Sequence, residues 1–205
     1  MYLKEQILMV AFDLFSQYGI KSVSMDDIAR HLAISKRTIY ETFPDKETLL
    51  TEGIEYSHLI MSDYLMRIEK EPHTALEIIL LLFEKLMKHP RWYSRKFYED
   101  LKRYPVALEK KEYQKTRFAD VCSRIFNRGI KEGVFQADVN FEIMVLLAKE
   151  QLKMLTMPQS FSKHSNEEIY GTVLITFLRG ISTDKGRAIL TRWVSAKIQY
   201  NNIKE

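Results

Sequence analysis

The chain has 205 residues, of which 46% are hydrophobic and 28% charged, with a net charge of +4 and a pI near 9.0. These values are ordinary for a globular protein and allow one large or two small domains. A single cysteine, Cys122, excludes an intramolecular disulfide bond and is typical of a reducing compartment. Because no apolar run has membrane-spanning length and the first ten residues do not resemble a signal peptide, we expect a cytoplasmic protein without a membrane partner.

Charge is distributed unevenly along the chain. Residues 1–50 hold six Lys or Arg against seven Asp or Glu, whereas residues 88–117 hold ten against four. The overall basic charge permits a nucleic-acid partner but does not establish one. Any DNA contact in the first fifty residues therefore depends on where a few cations lie.

Nearly the whole chain is predicted to be helical, because glycine and proline are scarce and strand-like alternation is absent. A first helix over Lys4–Tyr18 has an apolar stripe, and Gly19 ends it. Pro105 is expected to kink or break the chain before Val106. Beyond the first fifty residues, helices are predicted from Lys46 to before Pro72, from Thr74 to His89, from Trp92 to Leu101, from Tyr113 to Lys131, over 141–157, over 166–181 and from Asp184 to Tyr200.

The segment Ser24–Phe43 has the pattern of two short helices joined by a tight turn. Ser24 is a favourable N-cap for the first helix, and Ser35 caps the second after a break at residues 33–35. Ile39 and Phe43 are the apolar residues that hold the second helix, whose opposite face is polar and basic. Such a helix is suited to the major groove of DNA.

Specific residues in this segment follow one another at fixed spacing: Ile28-Ala29, Ile34-Ser35-Lys36, Thr38-Ile39-Tyr40, Phe43 and Asp45-Lys46-Glu47, with Ala11, Leu14-Phe15 and Gly19 upstream. This pattern resembles the DNA-binding domain of the TetR (tetracycline-repressor-like) family. Two positions differ from that family, which usually has glycine where Ala33 stands and a small residue where Arg37 stands. Because Arg37 adds a long cation to the recognition helix, the operator cannot be inferred from relatives.

The resemblance implies an all-α protein with a three-helix helix-turn-helix domain over residues 1–46 and a helical ligand-binding and dimerisation domain over residues 47–205. It also implies a homodimeric transcriptional repressor that a small molecule releases from double-stranded operator DNA. An alternative is a DNA-binding regulator without small-molecule input, whose C-terminal domain serves only dimerisation.

Physical suitability and the resemblance indicate the same DNA-contacting residues. Ser24, Tyr40 and Lys46 are suited to phosphate contacts. Arg37 is the best candidate for a bidentate contact with guanine. The predicted DNA-binding set is Ser24, Ser35, Lys36, Arg37, Thr38, Tyr40, Glu41 and Lys46. The alternative for Lys36 and Arg37 is a solvated helix face, and Ser35 and Thr38 are also suited to capping alone.

Aromatic and sulfur-containing side chains indicate where a small apolar, aromatic or amphiphilic anionic ligand would bind. The predicted ligand-binding set is Trp92, Tyr93, Phe97, Tyr98, Phe118, Cys122, Phe126 and Met154. The alternative for each is ordinary core packing. By resemblance, the helices over 141–157 and 166–181 form a four-helix dimer interface, with Leu152, Leu155, Ile169, Val173 and Phe177 as contributors.

Enzymatic functions are poorly supported by the sequence. It has no glycine-rich phosphate loop, no Gly-x-Ser-x-Gly motif and no His-Glu-x-x-His pair. The five histidines lack metal-ligand spacing, and Cys122 has no neighbouring cysteine to form a redox pair. We therefore expect no catalytic residues, metal site or cofactor, and treat an enzyme with an incidental helix-turn-helix as the least supported class.

Overall fold

A computed structural model describes residues 2–88, 95–154 and 163–202, and these form ten helices and no β-strand. The helices are α1 Leu3–Tyr18, α2 Met25–His31, α3 Lys36–Thr42, α4 Lys46–Ile68, α5 Ala75–Lys88, α6 Arg95–Leu101, α7 Pro105–Lys131, α8 Phe141–Met154, α9 Asn166–Ile181 and α10 Asp184–Asn202. The predicted all-α fold class is confirmed. In these three ranges, every helix is too short or too polar to cross a bilayer.

The largest difference from the predicted helices is at α7, which begins at Pro105 and not near Tyr113. Proline is well tolerated in the first turn of a helix, where its missing N–H would have no partner anyway. The N–H of Leu108 already donates to the carbonyl of Tyr104 at 2.9 Å. Pro105 therefore starts a helix after the short turn that follows α6. The predicted start at Trp92 and the ends at His89 and residue 157 lie outside the described residues.

Side-chain caps fix several helix starts where the sequence predicts them. At α5, Glu77 Oε2 accepts from the Thr74 backbone N–H at 2.7 Å, and the Glu77 N–H donates to Thr74 Oγ1 at 3.3 Å. At α9, Ser165 Oγ accepts from the N–H of Glu168 at 3.1 Å. The Glu168 carboxylate lies 3.1 Å from His164 Nδ1. Local capping chemistry therefore determines these boundaries.

The described residues group into two compact units. Of the described residues, the first unit contains 2–67, 88 and 95–119, and the second contains 68–87, 120–154 and 163–202. The boundary predicted after residue 46 falls inside the first unit, because α4 packs on the helices that precede it. Gly53 of α4 illustrates this contact: a Cβ added there would lie 2.5 Å from the ring of Phe12 on α1.

The core of the first unit holds the helix-turn-helix segment in place. Its largest fully buried side chains come from α1 to α4, from the segments that connect these helices, and from α6: Ile7, Phe12, Phe15, Ile20, Ile28, Ile39, Phe43, Leu49, Leu50 and Phe97. Ile39 and Phe43 bury the inner face of α3, as predicted from their spacing. Burial of each such side chain contributes about 1.5–3 kcal/mol, so the orientation of α3 is fixed by packing.

The second unit is held by a polar cluster around Glu132 and an aromatic cluster around Phe126. Glu132 accepts hydrogen bonds from the backbone N–H of Ala75 at 2.7 Å and from Arg128 Nε at 2.6 Å. The Phe126 ring stacks on Phe135 with a centroid separation of 5.1 Å. These contacts join α5 and α7 to the segment that follows α7.

Candidate nucleic-acid interface

The N-terminal end of α2 is closed by a reciprocal cap. Ser24 Oγ accepts from the N–H of Asp27 at 3.1 Å and donates to Asp27 Oδ2 at 2.6 Å, while the Ser24 N–H donates to the same oxygen at 2.9 Å. These hydrogen bonds from Ser24 lower the pKa of Asp27, and Arg30 acts in the same direction. Ser24 is exposed, as a phosphate contact requires, but its hydroxyl is already engaged with Asp27.

The turn between α2 and α3 is a Schellman motif with an alanine at its left-handed position. The N–H of Ile34 donates to the carbonyl of Ala29 at 3.0 Å, and the N–H of Ala33 donates to the carbonyl of Arg30 at 3.2 Å. Ala33 has a φ of +53°. Glycine is favoured at this position because a Cβ is strained there. The departure from the glycine usual in the TetR family therefore has a conformational cost.

The recognition helix α3 is capped by Ser35, whose Oγ accepts from the N–H of Thr38 at 3.0 Å. The Thr38 hydroxyl lies 2.7 Å from Ser35 Oγ and is half-buried. Ser35 and Thr38 therefore have structural roles whether or not they contact DNA. The outward face of α3 consists of exposed side chains: Lys36, Arg37, Tyr40 and Glu41.

Ion pairs hold both cations of this outward face. Arg37 Nε donates to Glu41 Oε1 at 2.7 Å, one turn along α3, with both side chains largely exposed. Lys36 Nζ donates to Asp26 Oδ2 of α2 at 2.7 Å, and this hydrogen bond raises the pKa of Lys36. Sequence reasoning missed both pairs. The Arg37–Glu41 spacing was visible in the sequence, whereas the pair between α2 and α3 depends on how the two helices cross.

Lys46 occupies the first position of α4 and is half-buried. Its Nζ lies over the Phe15 ring, 5.7 Å from the centroid. Burial lowers the pKa of Lys46, and the carboxylates of Asp100 and Asp27 oppose this change. A partly desolvated ammonium interacts more strongly with an anion than a fully hydrated one does, which suits the predicted phosphate contact.

The predicted ligand-binding residues fall in different surroundings. Phe97 is fully buried in the first unit, 6.1 Å from the Phe12 ring, and Phe126 is buried in the second. Tyr98 and Phe118 are 47% and 41% exposed. Cys122 is half-buried, and burial raises its pKa to about 11, which makes it a poor nucleophile. Trp92 and Tyr93, and the side chain of Met154, lie outside what the structure describes.

An open groove of about 770 Å³ lies in the first unit among α1, α4 and α7. Tyr56, His58, Leu59, Tyr113 and Arg117 are among its lining residues. None of the predicted ligand-binding residues whose side chains the structure describes lines this groove. Within the described ranges, no group of three or more His, Cys, Asp or Glu side chains is arranged to hold a metal ion.

Comparison with known proteins identifies the segment that contains α2 and α3. Residues 7–52 match the family described as bacterial regulatory proteins, tetR family. These residues, which include α2 and α3, are a TetR-family DNA-binding segment. The resemblance inferred from the sequence is confirmed over this segment, and the relatives described next are transcriptional regulators.

Two regulators and one solved structure illustrate these relationships. The chain is 30% identical over 111 residues to the uncharacterized HTH-type regulator YuxN of Bacillus subtilis strain 168, and 26% identical over 106 residues to IcaR of Staphylococcus epidermidis, a negative transcriptional regulator of a biofilm operon. Both matches cover 52% of this chain. They cover 38% of the length of YuxN and 57% of the length of IcaR, so this chain spans about half the length of these relatives. A transcriptional regulator from Saccharomonospora viridis, solved in complex with choline, superposes with a TM-score of 0.71 at 19% identity, covering 88% of this chain and 97% of that one. At that identity the superposition shows the fold.

Proposed function

We propose that this TetR-family regulator is a homodimeric repressor that binds operator DNA through α3 and is released by a small molecule. The observation that carries the DNA-binding part is the two-faced structure of α3. Ile39 and Phe43 anchor its inner face with no exposed surface, while Lys36, Arg37, Tyr40 and Glu41 remain exposed. A rigidly held helix with a polar outer face is suited to enter the major groove.

Sequence selectivity requires more than one such helix, because a single recognition helix contacts only a few base pairs. Two-fold dimers place two of them about 34–36 Å apart, in successive major grooves. Exposed apolar residues on α8 support dimerisation: Ile143, Leu146 and Leu147 are 57%, 61% and 55% exposed. On α9, Ile169, Val173 and Phe177 are half-buried at four-residue spacing. Apolar surface at such spacing favours association between helices.

The proposal that a small molecule releases the repressor is supported by similar regulators and by the thermodynamics of a two-state dimer. The regulator from Saccharomonospora viridis was solved with choline, and IcaR is a negative regulator. A ligand that binds more tightly to a dimer with wrongly spaced recognition helices lowers DNA affinity by shifting the population toward that dimer. The long helix α4, which starts at Lys46, connects the helix-turn-helix to the following segments and is the element we expect to transmit the change.

A regulator without small-molecule input remains the second candidate, because Phe97 and Phe126 are core residues and do not line the open groove. Selection of bound DNA from a random pool tests the DNA-binding part, and a palindromic site would support a two-fold dimer. Gel shifts on the selected site with apolar, aromatic and anionic compounds then distinguish the candidates. Release by one compound supports the first candidate, whereas binding that none of them changes supports the second.

A further inference from the structure

The first unit contains a cluster of exposed cations beside the helix-turn-helix, on residues that the predicted DNA-binding set does not include. The cluster consists of Lys21 in the loop between α1 and α2, Lys96 on α6, and Lys102 and Arg103 in the turn before α7. All four are exposed, and none forms an ion pair with a described residue. By contrast, Lys4, Arg30, Lys36, Arg37, Lys110 and Lys115 all pair with carboxylates.

Direct contacts fix α6 against the loop that contains Lys21. The N–H of Lys21 donates to Asp100 Oδ2 at 2.7 Å, and this carboxyl group is on a residue only 8% exposed. The stem of Lys96 lies across Gly19, where an added Cβ would come within 2.7 Å of Lys96 Cγ. The buried ring of Phe97 completes the contact with α1 through Phe12. Lys21 and Lys96 are therefore held on one continuous surface.

The turn before α7 lies beside the first turn of α4. Tyr104, which follows Arg103, packs against the core of the first unit. Burial raises the pKa of Tyr104, and the nearby carboxylates of Asp100 and Glu47 act in the same direction. Lys46 in turn interacts electrostatically with Asp100 and with Asp27 of α2. The cations thus adjoin the starts of α2 and α4, where the predicted phosphate contacts Ser24 and Lys46 lie.

We propose that Lys21, Lys96, Lys102 and Arg103 form a second contact surface for the DNA phosphate backbone, flanking the site that α3 occupies. This inference rests on the proposed DNA-binding function. Cations that form no ion pair with the described residues are available to displace the counterions condensed on DNA, and such contacts increase affinity without selecting sequence. Lys96, Lys102 and Arg103 lie outside residues 1–50, which carry six cations against seven carboxylates, so they add basic charge beside the helix-turn-helix.

The test compares two double variants of the full chain that each remove two positive charges. Lys102→Gln/Arg103→Gln changes the proposed surface, whereas Lys110→Gln/Lys115→Gln changes cations on α7 that already pair with Glu55 and Glu112. Binding to a random-sequence duplex and to the selected operator is measured across a range of salt concentrations. All four positions are on the protein exterior, and thermal unfolding confirms that the variants fold.

For the first variant we expect the slope of log K against log salt to fall by about 0.9 for each phosphate that the protein no longer neutralises, with affinity reduced roughly tenfold at physiological salt. The reduction should be the same on operator and random DNA, and the control should retain the wild-type slope.

Equal slopes in the two variants would overturn the proposal, as would a reduction confined to the operator. If the wild-type chain binds no duplex, the proposed function fails as well. If the salt slope of the Lys102→Gln/Arg103→Gln variant equals that of the wild type while operator selectivity still depends on Arg37, the second contact surface is wrong and the proposed DNA-binding function stands.

Discussion

Arg37 is the residue by which this chain differs most from the usual TetR-family recognition helix, and its guanidinium is paired with Glu41. We predict that Arg37→Ala weakens operator binding by about 1–3 kcal/mol, the range for a bidentate arginine–guanine contact. Stability should change little, because the side chain is largely exposed. Titration of the selected operator and of random duplex measures both affinities.

Arg30→Ala is the matched control for this prediction. Arg30 is also exposed and paired with a carboxylate, Asp27, but it lies on α2 and outside the outward face of α3. Its removal should leave the ratio of operator to random-duplex affinity unchanged. If Arg37→Ala reduces both affinities equally, Arg37 contacts phosphate and not a base.

Ala33 provides a prediction about stability. Its left-handed conformation costs a residue with a Cβ about 1–2 kcal/mol, while glycine loses about 0.5–1 kcal/mol more conformational entropy on folding. We therefore expect Ala33→Gly to increase the free energy of unfolding by about 0.5–1 kcal/mol. Urea denaturation monitored by circular dichroism measures the change.

Gly133 offers the reciprocal experiment, since it ends α7 in the same Schellman geometry with a φ of +69°. A Cβ added there would meet nothing within 4 Å, so only the backbone conformation is affected. Gly133→Ala should destabilise the protein by an amount similar to the gain at Ala33. A decrease in stability in both variants would mean that the strain at Ala33 is smaller than the entropy glycine loses.

The contact between α1 and α4 brings Gly53 against the ring of Phe12. We predict that Gly53→Ala destabilises the protein by about 1–3 kcal/mol, because the new Cβ would lie 2.5 Å from the Phe12 ring and force the helices apart. Phe12→Leu removes the ring edge that obstructs the new Cβ, but this change alone leaves a cavity in the core and is destabilising. The double variant should therefore be more stable than the sum of the two single changes indicates, and strict additivity would contradict the proposed clash.

How far the sequence predicts an element depends on whether the determining contacts are local. The caps at Ser24 and Ser35 involve residues three positions apart, so the starts of α2 and α3 are visible in the sequence. Pro105 is ambiguous, because proline both breaks helices and begins them. The role of α6 is not visible at all, since it depends on contacts such as that between Asp100 and Lys21, 79 positions apart. The same limit applies to the Lys36–Asp26 pair and to the burial of Phe97.

For the whole molecule, the exposed apolar face of α8 leads to a prediction about assembly. Ile143, Leu146 and Leu147 are neighbours on the helix, and each is more than half exposed. We predict that Leu146→Glu shifts the protein from dimer to monomer, because a carboxylate placed in an apolar interface loses its hydration without gaining a partner. Sedimentation equilibrium measures the association state. Met66→Glu is the matched control, since Met66 on α4 is 54% exposed and lies outside the predicted interface.

Assembly and DNA binding should be linked, and this gives the prediction a second measurement. A monomer has one recognition helix and lacks the contribution of the second half-site, so Leu146→Glu should reduce affinity for a palindromic operator far more than affinity for a single half-site. The control should behave as wild type in both assays. A variant that stays dimeric would show that α8 is not the interface. A monomeric variant with undiminished operator affinity would show that this protein does not need two recognition helices on DNA.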